Sequence, residues 1–164
     1  MRTLFILRHA KSSWDDASLA DFDRPLNGRG ERTAPMMGEL MQREGFAPHI
    51  IISSPAERAK QTALAVKKAG GLGAEIVFDE RIYEASPNAL RRVTAEIDGI
   101  YGSAMLVGHN PGIEGLVRYL TGQNEPMPTA ALAVIDLDID GWGDITEGCG
   151  KLRFIFRPKE LTSQ

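Results

Sequence analysis

The chain has 164 residues, 43% of them hydrophobic, enough for one domain with a real core and too few for two ordinary ones. Nineteen Lys and Arg against 22 Asp and Glu leave a formal net charge of −3, which offers no field to attract a nucleic-acid backbone. The single cysteine, Cys149, excludes an intrachain disulfide, and no Cys/His spacing matches a zinc site.

The apolar run Thr3 to Leu7 lacks polar alternation and suits a strand buried on both faces, ending at Arg8-His9. It is too short for the apolar core of a signal peptide, and no later stretch approaches a membrane span. The expectation is a cytoplasmic, soluble protein with a single domain over residues 1–164.

After a polar loop, Asn27 is placed to cap a helix over Gly28 to Glu44, with Met36, Met37, Leu40 and Met41 on its core face. His49 to Ile52 reads as a second strand. Ser54-Pro55-Ala56-Glu57 then has capping-box spacing, with proline at the first helical position, and predicts a helix to about Ala69. Ser86-Pro87 and Asn110-Pro111 repeat that punctuation. Between these starts lie the strand-like runs Ile76 to Phe78 and Met105 to Val107, and Ala131 to Asp138 with Leu152 to Phe156 reads as a closing hairpin. The alternation predicts an α/β fold, a three-layer α/β/α sandwich around a mostly parallel mixed sheet.

On this frame His9, Arg58 and His109 all follow carboxyl ends of strands, where open α/β sheets bind ligands and helix N-termini offer free N–H groups to anions. Arginine presents a rigid fork of donors suited to phosphate, and a neutral imidazole is a competent nucleophile near pH 7 without a separate base. Each residue alone is compatible with an ordinary structural role; their recurrence after three separate strands points to an anion site.

Leu7-Arg8-His9-Ala10-Lys11-Ser12, Ser53-Ser54-Pro55-Ala56-Glu57-Arg58-Ala59-Lys60-Gln61-Thr62 and Val107-Gly108-His109-Asn110-Pro111 resemble, in order and spacing, the signature segments of the histidine phosphatase superfamily, also called phosphoglycerate mutase-like. Arg8 to Trp14 followed by Asp23-Arg24-Pro25-Leu26 is similar to the small SixA-like branch, associated with removing phosphate from protein phosphohistidine. The resemblance implies that His9 is the nucleophile, that Arg8 and Arg58 bind phosphate, and that His109 donates a hydrogen bond to the phosphoryl group. It implies no metal and no organic cofactor.

Two positions depart from the larger relatives. Ala10 replaces their glycine, as in the small branch, and Asp15 stands where they carry an asparagine near phosphate; a carboxylate there would repel an anion, so Asp15 is left out of the binding set. Glu84 lies near the position of a leaving-group acid and is a candidate proton donor. A phosphohistidine substrate needs such an acid less than an alkyl ester does, because its leaving imidazole is far less basic than an alkoxide.

Asp136-Leu137-Asp138-Ile139-Asp140-Gly141 with Glu147 satisfies the EF-hand pattern, but the flanking segments alternate with a period of two, so the aspartates read as the solvent face of a strand. His49 is given no function, Trp14 is placed at the pocket rim, and Trp142 over the edge of the hairpin. The sequence predicts a phosphohistidine phosphatase acting on a phosphorylated protein. The alternatives are a phosphatase for a small phosphate ester or anhydride and a phosphate-recognition module without turnover. Nucleic acid and membrane are not expected partners, and the sequence does not specify an oligomeric state.

Overall fold

The N-terminal apolar run forms β1 (Arg2–Arg8) in the interior of a six-stranded sheet in the computed structural model, which describes residues 1–162. The other strands are β2 (Ile50–Ser53), β3 (Glu75–Phe78), β4 (Ser103–Gly108), β5 (Leu132–Leu137) and β6 (Gly150–Phe156). Their order is β3-β2-β4-β1-β5-β6. The first four run parallel, β5 is antiparallel to β1, and β6 is antiparallel to β5, giving the expected mixed sheet with its C-terminal hairpin.

Successive β1 residues face opposite layers, as a strand's period of two requires. Leu4 and Ile6 enter one core with α3 (Pro87–Ala95) and α4 (Gly112–Thr121); Phe5 and Leu7 enter the other with α1 (Gly28–Glu44) and α2 (Glu57–Gly70). A short α5 (Pro158–Thr162) follows the last strand. The run Ile76 to Phe78 is a strand as read, at the sheet edge with β2 on one side only, and Val77 and Phe78 stay exposed. Among the described residues no helix is long and apolar enough to cross a membrane.

The helix starts show which local rules held. Asn27 caps α1 by accepting from the Gly30 N–H, and Ser86 caps α3 by accepting from the Ala89 N–H with Pro87 in the first turn. Ser54-Pro55 does not start α2. The helix begins at Glu57, and the expected capping box is not made, because the Ser54 side chain is committed elsewhere and accepts only from the Ala56 N–H. Asn110-Pro111 is a cis peptide; α4 begins at Gly112, and Asn110 Oδ1 accepts from the Glu114 N–H.

Trp142 also corrects its sequence reading. It is fully buried in the core beneath α3 and α4 and donates from Nε1 to the Tyr101 carbonyl, which satisfies its one polar group. The EF-hand-like segment enters as strand β5 and turns through a short 3-10 helix at Trp142–Asp144, so the two flanking helices of a calcium loop are not there; Asp136 pairs with Arg153 on β6.

Gly30 fixes one contact that matters for the site. A Cβ there would stand 2.1 Å from the Lys11 carbonyl oxygen, and that same oxygen accepts from the Asn27 N–H at 3.0 Å. The loop after β1 therefore rests directly on the bare backbone of the first turn of α1.

Candidate active site

The sheet register brings the motifs together before any side chain acts. Arg8 pairs with Gly108, and the next backbone bond runs from the His9 N–H to the Gly108 carbonyl at 3.1 Å. Ser53 pairs with Val107, whose carbonyl accepts from the Ser54 N–H at 2.9 Å. His9, His109 and Ser54 thus leave three adjacent parallel strands at one level, with the imidazole centroids of the two histidines 5.0 Å apart.

His9 is 6% exposed, and its Nδ1 lies 2.7 Å from the Ala10 carbonyl oxygen. A carbonyl only accepts, so Nδ1 carries the proton and Nε2 keeps the lone pair. Burial, reinforced by His109, Arg8 and Arg58, pushes its pKa down to about 3 against the opposing Ala10 bond, so the ring is neutral at physiological pH. The Ala10 N–H donates to Thr62 Oγ1 at 3.0 Å, and Thr62 donates in turn to the Arg58 carbonyl, tying the His9 loop to the first turns of α2. The Ala10 methyl, the departure from glycine, is itself buried in the core against Leu7 and Leu26 and fills space there.

His109 Nε2 sits 2.7 Å from Ser54 Oγ. That oxygen already accepts from the Ala56 N–H, so its own O–H is left to donate to Nε2, which puts the ring proton on Nδ1. Burial and Arg58 lower the His109 pKa to about 4, so this ring is neutral too. Its Nδ1 is buried and makes no hydrogen bond within the protein.

The same is true of Arg8 Nε and Arg58 Nε. Elsewhere each guanidinium is anchored: Arg8 donates from Nη1 to the Met127 carbonyl at 3.2 Å, and Arg58 from Nη1 to the Asp21 carbonyl at 2.7 Å and from Nη2 to Asp21 Oδ2 at 3.0 Å. Leaving three buried donors unsatisfied is costly unless a ligand completes them. Arg8, His9, Arg58 and His109 line one cavity of about 430 Å³, together with Lys11, Ser12, Trp14, Asp21, Arg24, Asn110 and Thr129. Two cationic forks, two neutral imidazoles and unspent N–H donors suit a tetrahedral oxyanion.

The rim holds residues that sequence reasoning missed. Asp21 accepts from Arg58, from Arg24 and, at 2.6 Å, from the Tyr83 hydroxyl. The Tyr83 bond, with Arg58 and Arg24 adding to it, holds the Asp21 carboxyl down at about 2. Arg24 is buried and also donates to Ser12 Oγ and the Ser13 carbonyl, while its guanidinium lies 3.5 Å from the centroid of the exposed Trp14 ring. The string Asp23-Arg24-Pro25-Leu26 was a signal for Arg24; nothing in the sequence marked Asp21 or Tyr83.

Glu84 does not line this cavity. It lines an adjoining groove of about 820 Å³ that shares His109 and Asn110 and includes Glu114, Arg118 and Glu125. Its φ of 54° is a left-handed conformation uncommon outside glycine. Asp15 is exposed and lines neither cavity, and His49 lies remote from both, against Ser103. Among the described residues no group of three or more His, Cys, Asp or Glu side chains could hold a metal ion.

The sequence profile of the histidine phosphatase superfamily (branch 1) matches residues 4–105, more than half of the chain. The chain belongs to the histidine phosphatase superfamily. The matched span contains Arg8, His9 and Arg58 and ends just before His109, which the sheet register sets beside them. A chloroplastic protein of Arabidopsis thaliana, itself uncharacterized, is 33% identical over 86% of this chain and 69% of its own. An uncharacterized protein of Mycobacterium tuberculosis is 30% identical over 89% and 96%. Among solved structures, a candidate phosphohistidine phosphatase SixA from Agrobacterium tumefaciens is 30% identical with a TM-score of 0.83, over 96% of this chain and 98% of that one. The protein histidine phosphatase SixA complexed with tungstate shares the fold at 23% identity and a TM-score of 0.80, over 97% and 99%. This histidine phosphatase is an enzyme of the phosphatase type and falls with the SixA-like branch.

Proposed function

We propose that this single-domain enzyme hydrolyses phosphohistidine on a protein, in the cytoplasm, through a phosphoenzyme on His9. The observation that carries the reading is the pairing of a buried, neutral His9, whose Nδ1 is committed to the Ala10 carbonyl, with three buried donors that have no protein partner, on Arg8, Arg58 and His109. His9 Nε2 attacks phosphorus while Arg8 and Arg58 spread their charge over the equatorial oxygens and His109 Nδ1–H donates to a third position. The substrate imidazole leaves on the far side, and water then cleaves the N–P bond of phospho-His9 to release phosphate. The likeness to the Agrobacterium protein supports the substrate class, and the exposed rim at Trp14 suits a protein-borne phosphoryl group.

The test is phosphate release from a phosphohistidine protein and a phosphoserine peptide in parallel, with metals chelated, comparing wild type with His9→Ala. Turnover of the phosphohistidine protein by wild type alone supports the reading; equal turnover by His9→Ala overturns it. A second reading, a small phosphate ester or anhydride as substrate, draws on Glu84, which lines a groove that also includes His109. That reading requires Glu84→Gln to lose activity on alkyl phosphates.

A further inference from the structure

Arg8 and Arg58 are fixed in different ways. The Arg8 fork hydrogen-bonds only a neutral group, the Met127 carbonyl, and feels the Glu114 carboxylate through space without an ion pair to it. Arg58 has an equivalent neutral anchor in the Asp21 carbonyl at 2.7 Å, which by itself would orient the side chain, and yet the Asp21 carboxylate is set against the same guanidinium at 3.0 Å. The carboxylate adds little to orientation that the carbonyl does not already supply. What it adds is negative charge, on a guanidinium that lines the proposed phosphate cavity.

We infer that Asp21 is an internal counter-anion, a specificity-determining residue that competes with phosphate for Arg58 and thereby limits how tightly the product is held. The inference rests on the phosphate site proposed above. Asp21 is held against swinging away: Oδ2 also accepts from the Tyr83 hydroxyl at 2.6 Å, and Oδ1 accepts from Arg24 Nε at 3.2 Å with Nη2 at 3.1 Å. Arg24 is anchored on Ser12 and Ser13, and Tyr83 is braced edge-on by Phe22 and His109, with ring centroids 5.1 Å and 5.6 Å away. The carboxyl stays ionised at any physiological pH, and the Tyr83 hydroxyl, pushed up to about 12 by desolvation and by Asp21, stays protonated and donating.

The charge count shows the consequence. With both histidines neutral, Arg8, Lys11, Arg24 and Arg58 bring four positive charges to the cavity lining, and Asp21, paired with Arg24 and Arg58, offsets one of them. A phosphoryl group arriving on a substrate and a phosphate dianion leaving as product meet the same donors, so donors strong enough to bind the first hold the second as well. A fixed carboxylate penalises the more highly charged species more, which favours release of the dianion over loss of a substrate with a lower or partly compensated charge.

Calorimetric titration of inorganic phosphate at pH 7.5 into wild type, Asp21→Asn and Asp21→Glu tests this, with thermal melts confirming that each variant is folded. Asp21→Asn keeps the shape and removes the charge, and its phosphate Kd is expected to fall about tenfold. Asp21→Glu restores the charge and is expected within about threefold of wild type. The opposite sign, equal or weaker phosphate binding by Asp21→Asn, makes Asp21 a mere brace for Arg58 and overturns the inference alone, as does tightening by Asp21→Glu equal to that of Asp21→Asn. If neither wild type nor either variant binds phosphate, the phosphate-site reading fails, and this inference with it.

Discussion

The floor of the site and its rim are built by different means. On the floor, His9, Ser54 and His109 are set by the backbone register of β1, β2 and β4, and all are nearly or fully buried. On the rim, Asp21, Arg24, Trp14 and Tyr83 are held by side-chain contacts between loops, with Asp21 half-exposed and Trp14 at 73% exposure. Backbone register gives the positional accuracy that the proposed attack by His9 needs, whereas side-chain ion pairs can be retuned one residue at a time without moving His9.

The substitution that cuts deepest into this division is Arg58→Ala, because Arg58 is buried on α2 against the floor and also anchors the rim through Asp21. Its kcat/KM is expected to drop about a thousandfold, measured as phosphate release under subsaturating substrate. A loss below about tenfold would mean that Arg8 and His109 suffice and that the floor is not a unit.

The next effect is on acid stability. His9 and His109, with an ordinary value of 6.5, are depressed to about 3 and about 4, so between those values and 6.5 the unfolded chain binds more protons than the folded one. Their contribution to stability is fully present above about pH 6.5 and is lost as pH falls through that window. Asp21, depressed to about 2 from 3.8, loses its own contribution only at lower pH still. Thermal melting from pH 7 to pH 4 should therefore fall for wild type and fall less steeply for His109→Gln; equal slopes would remove His109 from the account. The smallest expected effect belongs to the rim alone: Trp14→Ala gives up a cation–π contact at an exposed position, about 0.5 kcal/mol by denaturant titration. A loss above about 1.5 kcal/mol would show the rim to be structurally coupled to the core.

The same division explains what the sequence disclosed. Strand and helix order, the caps at Asn27 and Ser86, and the assembly of Arg8, His9, Arg58 and His109 were legible, because period, capping chemistry and short motifs are local. Ser54 was misread as a helix cap because its competitor for the hydroxyl, His109, lies 55 positions away. Trp142 was misplaced because its indole partner is a carbonyl on another loop. Asp21 and Tyr83 were missed for that reason too, since they meet across 62 positions, and no periodicity encodes such a meeting. Glu84, expected as a possible acid, lies in the neighbouring groove and awaits the alkyl-phosphate test.

The seat of the His9 loop on Gly30 limits what position 30 of this chain can hold. Because the Lys11 carbonyl occupies the space of a β-carbon, any other residue at position 30 has to arrive together with a backbone shift in the segment that follows His9. A residue that lines neither cavity thereby fixes the backbone that carries His9, while Asp21 and Trp14 are held by side-chain contacts that leave that backbone where it is. Room for substitution around this cavity follows the line between backbone contact and side-chain contact rather than distance from His9.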